Sequence, residues 1–225
     1  MGWFSDFLTS SLGRKLVMSI SGLFLMLFLV VHLIGNLQLL AADGGQKFNV
    51  YTQFMTHNPL IKTISYVLYL TILLHAVQGT LIWAYNKSAK GVGYAVKTGA
   101  NASLASRYMF MLGAFIFIFL IIHLYQFWLQ MKLGNTAMIN YGDEQVKDLY
   151  TLVSSAYANL FYVLFYVVSM VFLGYHLWHG FQSAFQTLGL NHPKYNGLIQ
   201  LTGKIYAVVI PAGFAIIPLI MYFSK

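Results

Sequence analysis

The sequence predicts an all-α integral membrane protein, a single bundle of five transmembrane helices. Of its 225 residues 59% are hydrophobic and only 8% charged, too few polar side chains to cover a soluble globule of this size. Five apolar segments, near residues 16–40, 61–85, 108–131, 160–185 and 205–223, come close to or exceed the roughly 20 residues that cross a bilayer, and none contains Asp or Glu. Neither an internal repeat nor a low-complexity tract interrupts them, so residues 1–225 are expected to form one transmembrane domain.

Each element has its own warrant. The start, "MGWFSDFLTSSLGRKLVMSISGLFLMLFLVVHL", lacks a small-residue cleavage site ahead of its long apolar run, so the first span is expected to be retained. The connector "AADGGQKFNVYTQFMTHNP" is long enough for a short surface helix, and Asn58–Pro59 marks the start of the next helix. The connector before the fourth span is also long enough for a surface helix. With no cysteine in the chain, disulfides, thiolate iron–sulfur ligation and Cys-based zinc sites are excluded, and histidine is the main candidate for metal ligation.

Orientation follows from the basic residues flanking the spans. Arg14, Lys15, Lys87, Lys90, Lys97, Arg107, Lys194 and Lys204 fall on the N-terminal side with one acid, Asp6. Lys47, Lys62, Lys132, Lys147 and Lys225 fall on the other side with Asp43, Asp143, Glu144 and Asp148. The N-terminus is therefore expected in the cytoplasm and the C-terminus outside. This asymmetry accounts for most of the net charge of +8, which needs no nucleic-acid partner to explain it.

The chemistry lies in the histidines. Of seven, five fall within predicted spans: His32, His75, His123, and the pair His176 and His179; His57 and His192 lie beside polar turns and read as surface residues. His32 follows Leu16 by 16 residues, His75 follows Ile61 by 14, His123 follows Tyr108 by 15 and His176 follows Leu160 by 16. Successive spans run in opposite directions, so similar offsets give two depths: His32 and His123 towards the outside, His75 and His176 towards the cytoplasm. At about 1.5 Å per residue the levels differ by on the order of 10 to 15 Å.

A lone imidazole in lipid is commonly satisfied by a hydrogen bond or handles protons. Four on four spans at paired depths instead fit two bis-histidine haems clamped between four helices, while the fifth span, without His, packs beside them. Gly35, Gly79 and Gly180, three or four residues after His32, His75 and His176, are consistent with close approach of a porphyrin, though glycine is ordinary at membrane helix contacts. Within "GYHLWHGFQSAF", His176 and His179 share a face, and depth favours His176 only slightly.

The segments "SGLFLMLFLVVHLIGN", "LLHAVQGTLIWAYNK", "GAFIFIFLIIHLYQFW" and "GYHLWHGFQSAFQTLGL", with the loop "FNVYTQFMTHNP", resemble the single-chain di-haem cytochrome b membrane anchor of succinate dehydrogenases and menaquinol:fumarate reductases over essentially the whole length. The resemblance implies His32 and His123 as axial ligands of the outer, distal haem b, and His75 and His176 as those of the inner, proximal one. His176 is preferred over His179 because the family ligand is followed four residues later by Gly, here Gly180. It further implies an anchor in the bacterial cytoplasmic membrane, with an iron–sulfur subunit and a flavoprotein subunit on the cytoplasmic face. Such an anchor would pass electrons between menaquinone and those subunits in the respiratory chain, linked to the tricarboxylic acid cycle. The dicarboxylate chemistry would reside on the partners, since this chain holds neither flavin fingerprint nor cluster cysteines.

Ser19, Ser21, Arg14, Lys15, His179 and Gln182 lie at the level expected of the proximal haem propionates. Asn36, Gln38, Tyr125 and Gln126 lie within a turn or two of the outer histidines and are candidate quinone contacts, although polar residues and tyrosine also belong to the ordinary membrane boundary. Three alternatives stand beside this reading: a di-haem anchor of another quinone-linked enzyme, a transporter relaying protons or metal ions through its histidines without haem, and a structural anchor without haem.

Overall fold

A computed structural model describes residues 2–3, 6–7, 10–89 and 104–224. Much of the second connector, with Lys90 and Lys97, lies outside the described residues, as does Lys225. Among the described residues five helices are long and apolar enough to cross a membrane, as the composition demands. α1 is Ser11–Leu37, extended by a short 3-10 turn, Gln38–Leu40. α2, Gln46–His57, is the surface helix expected in the first connector. α3 is Pro59–Ala89 and α4 is Leu104–His123, continued by a π-helical turn, Leu124–Leu129, and the short α5, Gln130–Leu133. After a hairpin come α6, Leu149–Ala156, α7, Leu160–Thr187, and α8, Pro193–Phe223.

Local chemistry sets the boundaries. α1 begins earlier than the apolar run because Ser10 caps it, its Oγ accepting from the Gly13 amide at 3.0 Å. α8 begins at Pro193, well before residue 205. Proline suits a first helical turn, and His192 Nδ1 accepts from the Lys194 amide at 3.2 Å, so the helix extends past the membrane boundary. Asn159 caps α7 through the amides of Phe161 and Tyr162. Gly134, at φ +78°, ends the third span in a left-handed conformation that a side chain would disfavour.

The all-α expectation requires one correction. β1, Met138–Tyr141, and β2, Glu144–Lys147, form an antiparallel hairpin in the third connector, pairing Met138 with Lys147 and Tyr141 with Glu144. Its two-residue turn is Gly142-Asp143, with Gly142 at φ +62°, a pairing that favours tight hairpins.

α1 and α4 run away from the N-terminal side; α3 and α7 return to it. α2, the hairpin and α6 cap the far side. There Asn49, fully buried, donates to Tyr141 Oη and Asp148 Oδ1 at 3.1 Å each and accepts from the Tyr150 amide at 2.9 Å. One side chain thus fastens three cap elements. α8 packs most extensively on α7 and also touches α1, with Tyr206 donating to the Met26 carbonyl at 2.6 Å. Many large apolar side chains on the outer faces of the spans, Leu70, Leu73, Val77 and Leu81 on α3 among them, are exposed, as a lipid-facing surface requires.

Candidate functional site

The antiparallel bundle brings the four histidines together as two pairs. His75 of α3 and His176 of α7 have ring centroids 6.2 Å apart with planes at 68°. His32 of α1 and His123 of α4 are 5.8 Å apart with planes at 89°. Two imidazoles on opposite sides of one metal, each at a metal–nitrogen distance of about 2 Å, have ring centres on the order of 6 Å apart. Both pairs meet that spacing.

Hydrogen bonds to the rings fix which nitrogen is free. Ser21 Oγ donates to the Met18 carbonyl at 3.0 Å, so its oxygen accepts from His75 Nδ1–H, also at 3.0 Å. That leaves the His75 Nε2 lone pair available. Tyr166 Oη lies within hydrogen-bond distance of His123 Nδ1, at 3.1 Å, and 3.4 Å from Tyr162 Oη. A ligating histidine characteristically donates its second N–H, as His75 does to Ser21. His176 Nδ1 is buried without a hydrogen-bond partner. Asn36 stands over His32, its Nδ2 3.3 and 3.4 Å from the two ring nitrogens, and donates to the His32 carbonyl at 2.7 Å.

Two glycines seat the inner rings. A Cβ on Gly22 of α1 would lie 3.3 Å from His75 Cε1, and one on Gly113 of α4 would lie 3.5 Å from His176 Cε1. Each imidazole therefore rests against a bare stretch of the neighbouring helix.

Beside the inner pair lies a cavity of about 2150 Å³ between α1, α3, α4 and α7. Lys15, Ser19, Gly22 and Met26 face it from α1, and His75, Gly79, Ile82 and Asn86 from α3, both at helical spacing. From α7 come His176, His179, Gly180, Ser183 and Thr187; α4 contributes Arg107 and Gly113. Phe28 and Phe119 close its deep end, stacked on His32 and His123 at 5.1 and 5.8 Å. His32 and His123 themselves lie beyond this aromatic layer, packed also by Phe127 and Phe214. The inner pair thus fits a bulky flat macrocycle in both spacing and room, and its unpartnered His176 nitrogen is a further sign of a site built for a ligand. The outer pair fits in spacing, with aromatic rings filling its surroundings.

The remaining predicted residues divide. Lys15, Ser19 and His179 line the cavity, and Ser21 serves His75 directly. Arg14 is turned to Tyr85, its guanidinium carbon 5.8 Å from the ring centroid. Gln182 is exposed and does not line the cavity, because it sits six residues after His176, whereas Ser183 and Thr187, seven and eleven after it, share its face. Gly79 and Gly180 line the cavity, but Gly35 faces Tyr51. Of the quinone candidates only Asn36 contacts a site histidine through its side chain; Tyr125 is 61% exposed, and neither Gln38 nor Gln126 lines the cavity. His57 and His192 are exposed, as expected.

Sequence reasoning missed Gly22, Gly113, Arg107 and Tyr166 as site residues. Arg107 read only as a topology signal and Tyr166 only as part of an aromatic span.

Among the described residues no group of three or more His, Asp or Glu side chains is arranged to hold a metal ion. Compared with protein-family models, with curated proteins and with solved structures, the chain gives no match.

Proposed function

We propose that this chain is the di-haem cytochrome b anchor of a succinate:quinone oxidoreductase, carrying electrons between menaquinone and partner subunits docked on its N-terminal side. The observation that carries the reading is the pairing of four histidines from four spans at two membrane levels, with ring centroids 6.2 and 5.8 Å apart. Haem held by both pairs would supply one-electron transfer without an open coordination position.

The chain's own residues have distinct tasks. His75 and His176 would hold the proximal haem through the ring nitrogens not engaged by other groups. Ser21 fixes the ring orientation and tautomer of His75, and Tyr166 holds the ring of His123 in orientation. Gly22 and Gly113 let the inner rings lie close to neighbouring helices. Lys15, Arg107 and His179 stand on the cavity wall at the N-terminal side, where cationic and hydrogen-bonding groups suit anionic haem propionates. His32 and His123 would hold the distal haem, with Phe28 and Phe119 between the two levels.

Chain and partners isolated together provide the test. Succinate added to the oxidised complex is expected to produce a reduced b-type spectrum, and a menaquinol analogue is expected to reduce the same haems from the other end. Reduction by quinol but never by succinate would assign the anchor to a different quinone-linked enzyme.

A further inference from the structure

On the far side of the bundle, remote from the histidine pairs, four basic groups converge on one small pocket. Its volume is about 270 Å³, and its walls are Thr56, His57, Lys62, Met131, Lys132 and Lys147. At about 30 Å³ per liquid water, that space suits a hydrated phosphate-sized group. No carboxylate lines it.

The far side is the side poorer in basic residues, and its described lysines are Lys47, Lys62, Lys132 and Lys147. All but Lys47 meet at this pocket. Of the four acids on this side, Asp43 accepts from the amides of Gly45 and Lys47 and Asp148 from Thr151 and Asn49, while Asp143 and Glu144, on the hairpin, do not line the pocket. Gathering like charges without a counter-charge is unfavourable, so an anion in their midst would be stabilising. Two of the groups are already held in place. Lys147 Nζ donates to the Met131 carbonyl at 2.9 Å, and His57 Nδ1–H donates to the Gln53 carbonyl at 2.9 Å, leaving His57 Nε2 unused.

Depth identifies the anion. Lys62 lies in the first turn of α3 and Lys132 in the last turn of the third span, so both mark the membrane boundary, where lipid phosphates sit. We propose that this pocket binds a phosphate-bearing anion, the headgroup of an acidic phospholipid, and thereby ties α2 and the hairpin to the bundle. The inference stands apart from the redox reading and does not depend on haem.

The test places the full chain in nanodiscs of phosphatidylcholine with or without phosphatidylglycerol, and also in phosphatidylcholine discs with added inorganic phosphate. Lipid retained after delipidation and the thermal unfolding midpoint are read. The wild type is expected to retain phosphatidylglycerol preferentially, and the K62Q/K132Q variant to lose that preference by about five-fold per lysine, the equivalent of about 1 kcal/mol each. Both side chains are exposed, so the variant retains its packing, and K47Q is the charge-matched control outside the pocket. If inorganic phosphate raises the wild-type midpoint in phosphatidylcholine discs and leaves K62Q/K132Q unchanged, the site stands and free phosphate is its ligand. Equal retention by wild type and K62Q/K132Q with no phosphate effect, or an equal loss in K47Q, would overturn the proposal.

Discussion

Ser21 and Tyr166 show how a single hydroxyl can orient a histidine ring inside the bundle. Ser21 takes the Nδ1 proton of His75 and leaves its Nε2 lone pair free, and Tyr166 bonds Nδ1 of His123; in both cases the histidine is on another helix. Removing the hydroxyl frees the ring to rotate and to change tautomer. Ser21→Ala is therefore expected to weaken retention of the inner haem by about 10- to 100-fold, and Tyr166→Phe that of the outer one, each measured by haem loss to a competing apoprotein. His75→Ala and His176→Ala should abolish the inner haem, whereas His179→Ala should leave two haems per chain. Loss of one haem in His179→Ala would transfer the ligand role from His176. The four histidines were legible in the sequence because helix rise and alternating span direction fix depth. Lateral neighbours are not fixed that way, so Ser21 read as a propionate contact, Tyr166 did not register, and the glycines that seat the rings, Gly22 and Gly113, lie on different helices from the rings they seat.

At the scale of elements, one close helix approach in the bundle and one hydrogen-bonded pair in the cap matter most. A Cβ on Gly174 of α7 would lie 3.2 Å from the Ala207 carbonyl oxygen of α8, so backbone there abuts nearly bare backbone. Gly174→Val must force the two helices apart, and overpacking of this kind typically destabilises by about 1–3 kcal/mol. A lower unfolding midpoint with partial loss of α8 packing is expected; an unchanged midpoint would mean the contact is dispensable.

The cap depends on Asn49 and Asp148. Burial acts to raise the Asp148 pKa, but hydrogen bonds from Thr151 and Asn49 outweigh it and hold the carboxyl below its usual range. A depressed carboxylate contributes stability above its unfolded pKa of about 3.9, and this is lost as pH falls through the lower folded value. Amide protection factors in α2 and the hairpin should therefore fall as the pH drops below about 4 in the wild type, and be lower but less pH-dependent there in Asp148→Asn. Identical acid profiles would remove Asp148 from this role. The surface helix in the first connector was legible from length and its Asn-Pro boundary. The hairpin in the third was not anticipated, although "YGDE" carries its turn signal, because its strands are only four residues each and lack a long alternating pattern.

At the scale of the molecule, composition alone dictated a membrane bundle, and five long apolar helices bear it out. Four spans surround the cavity and histidines; the fifth, α8, packs outside them on α7 and α1, as its lack of histidine suggested. It nevertheless reaches the outer pair through Phe214, whose ring lies 5.6 Å from that of His32. The two levels are unequal: a large cavity adjoins the inner pair, and stacked aromatics enclose the outer one. With the cavity and the proposed partner-facing side at the inner level, variants at His75 or His176 should impair assembly with partner subunits more than variants at His32 or His123. Purification yield of the intact complex measures that difference, and equal yields would argue against a docking role for the inner level.

The most direct test is a dithionite-reduced minus oxidised visible spectrum of the purified, membrane-extracted protein, with a pyridine haemochrome count per chain. Two low-spin b-type haems per chain are predicted, falling to one in His75→Ala and one in His123→Ala. One haem in the wild type would restrict the site to the inner pair, and none in folded protein would show that these histidines are not haem ligands.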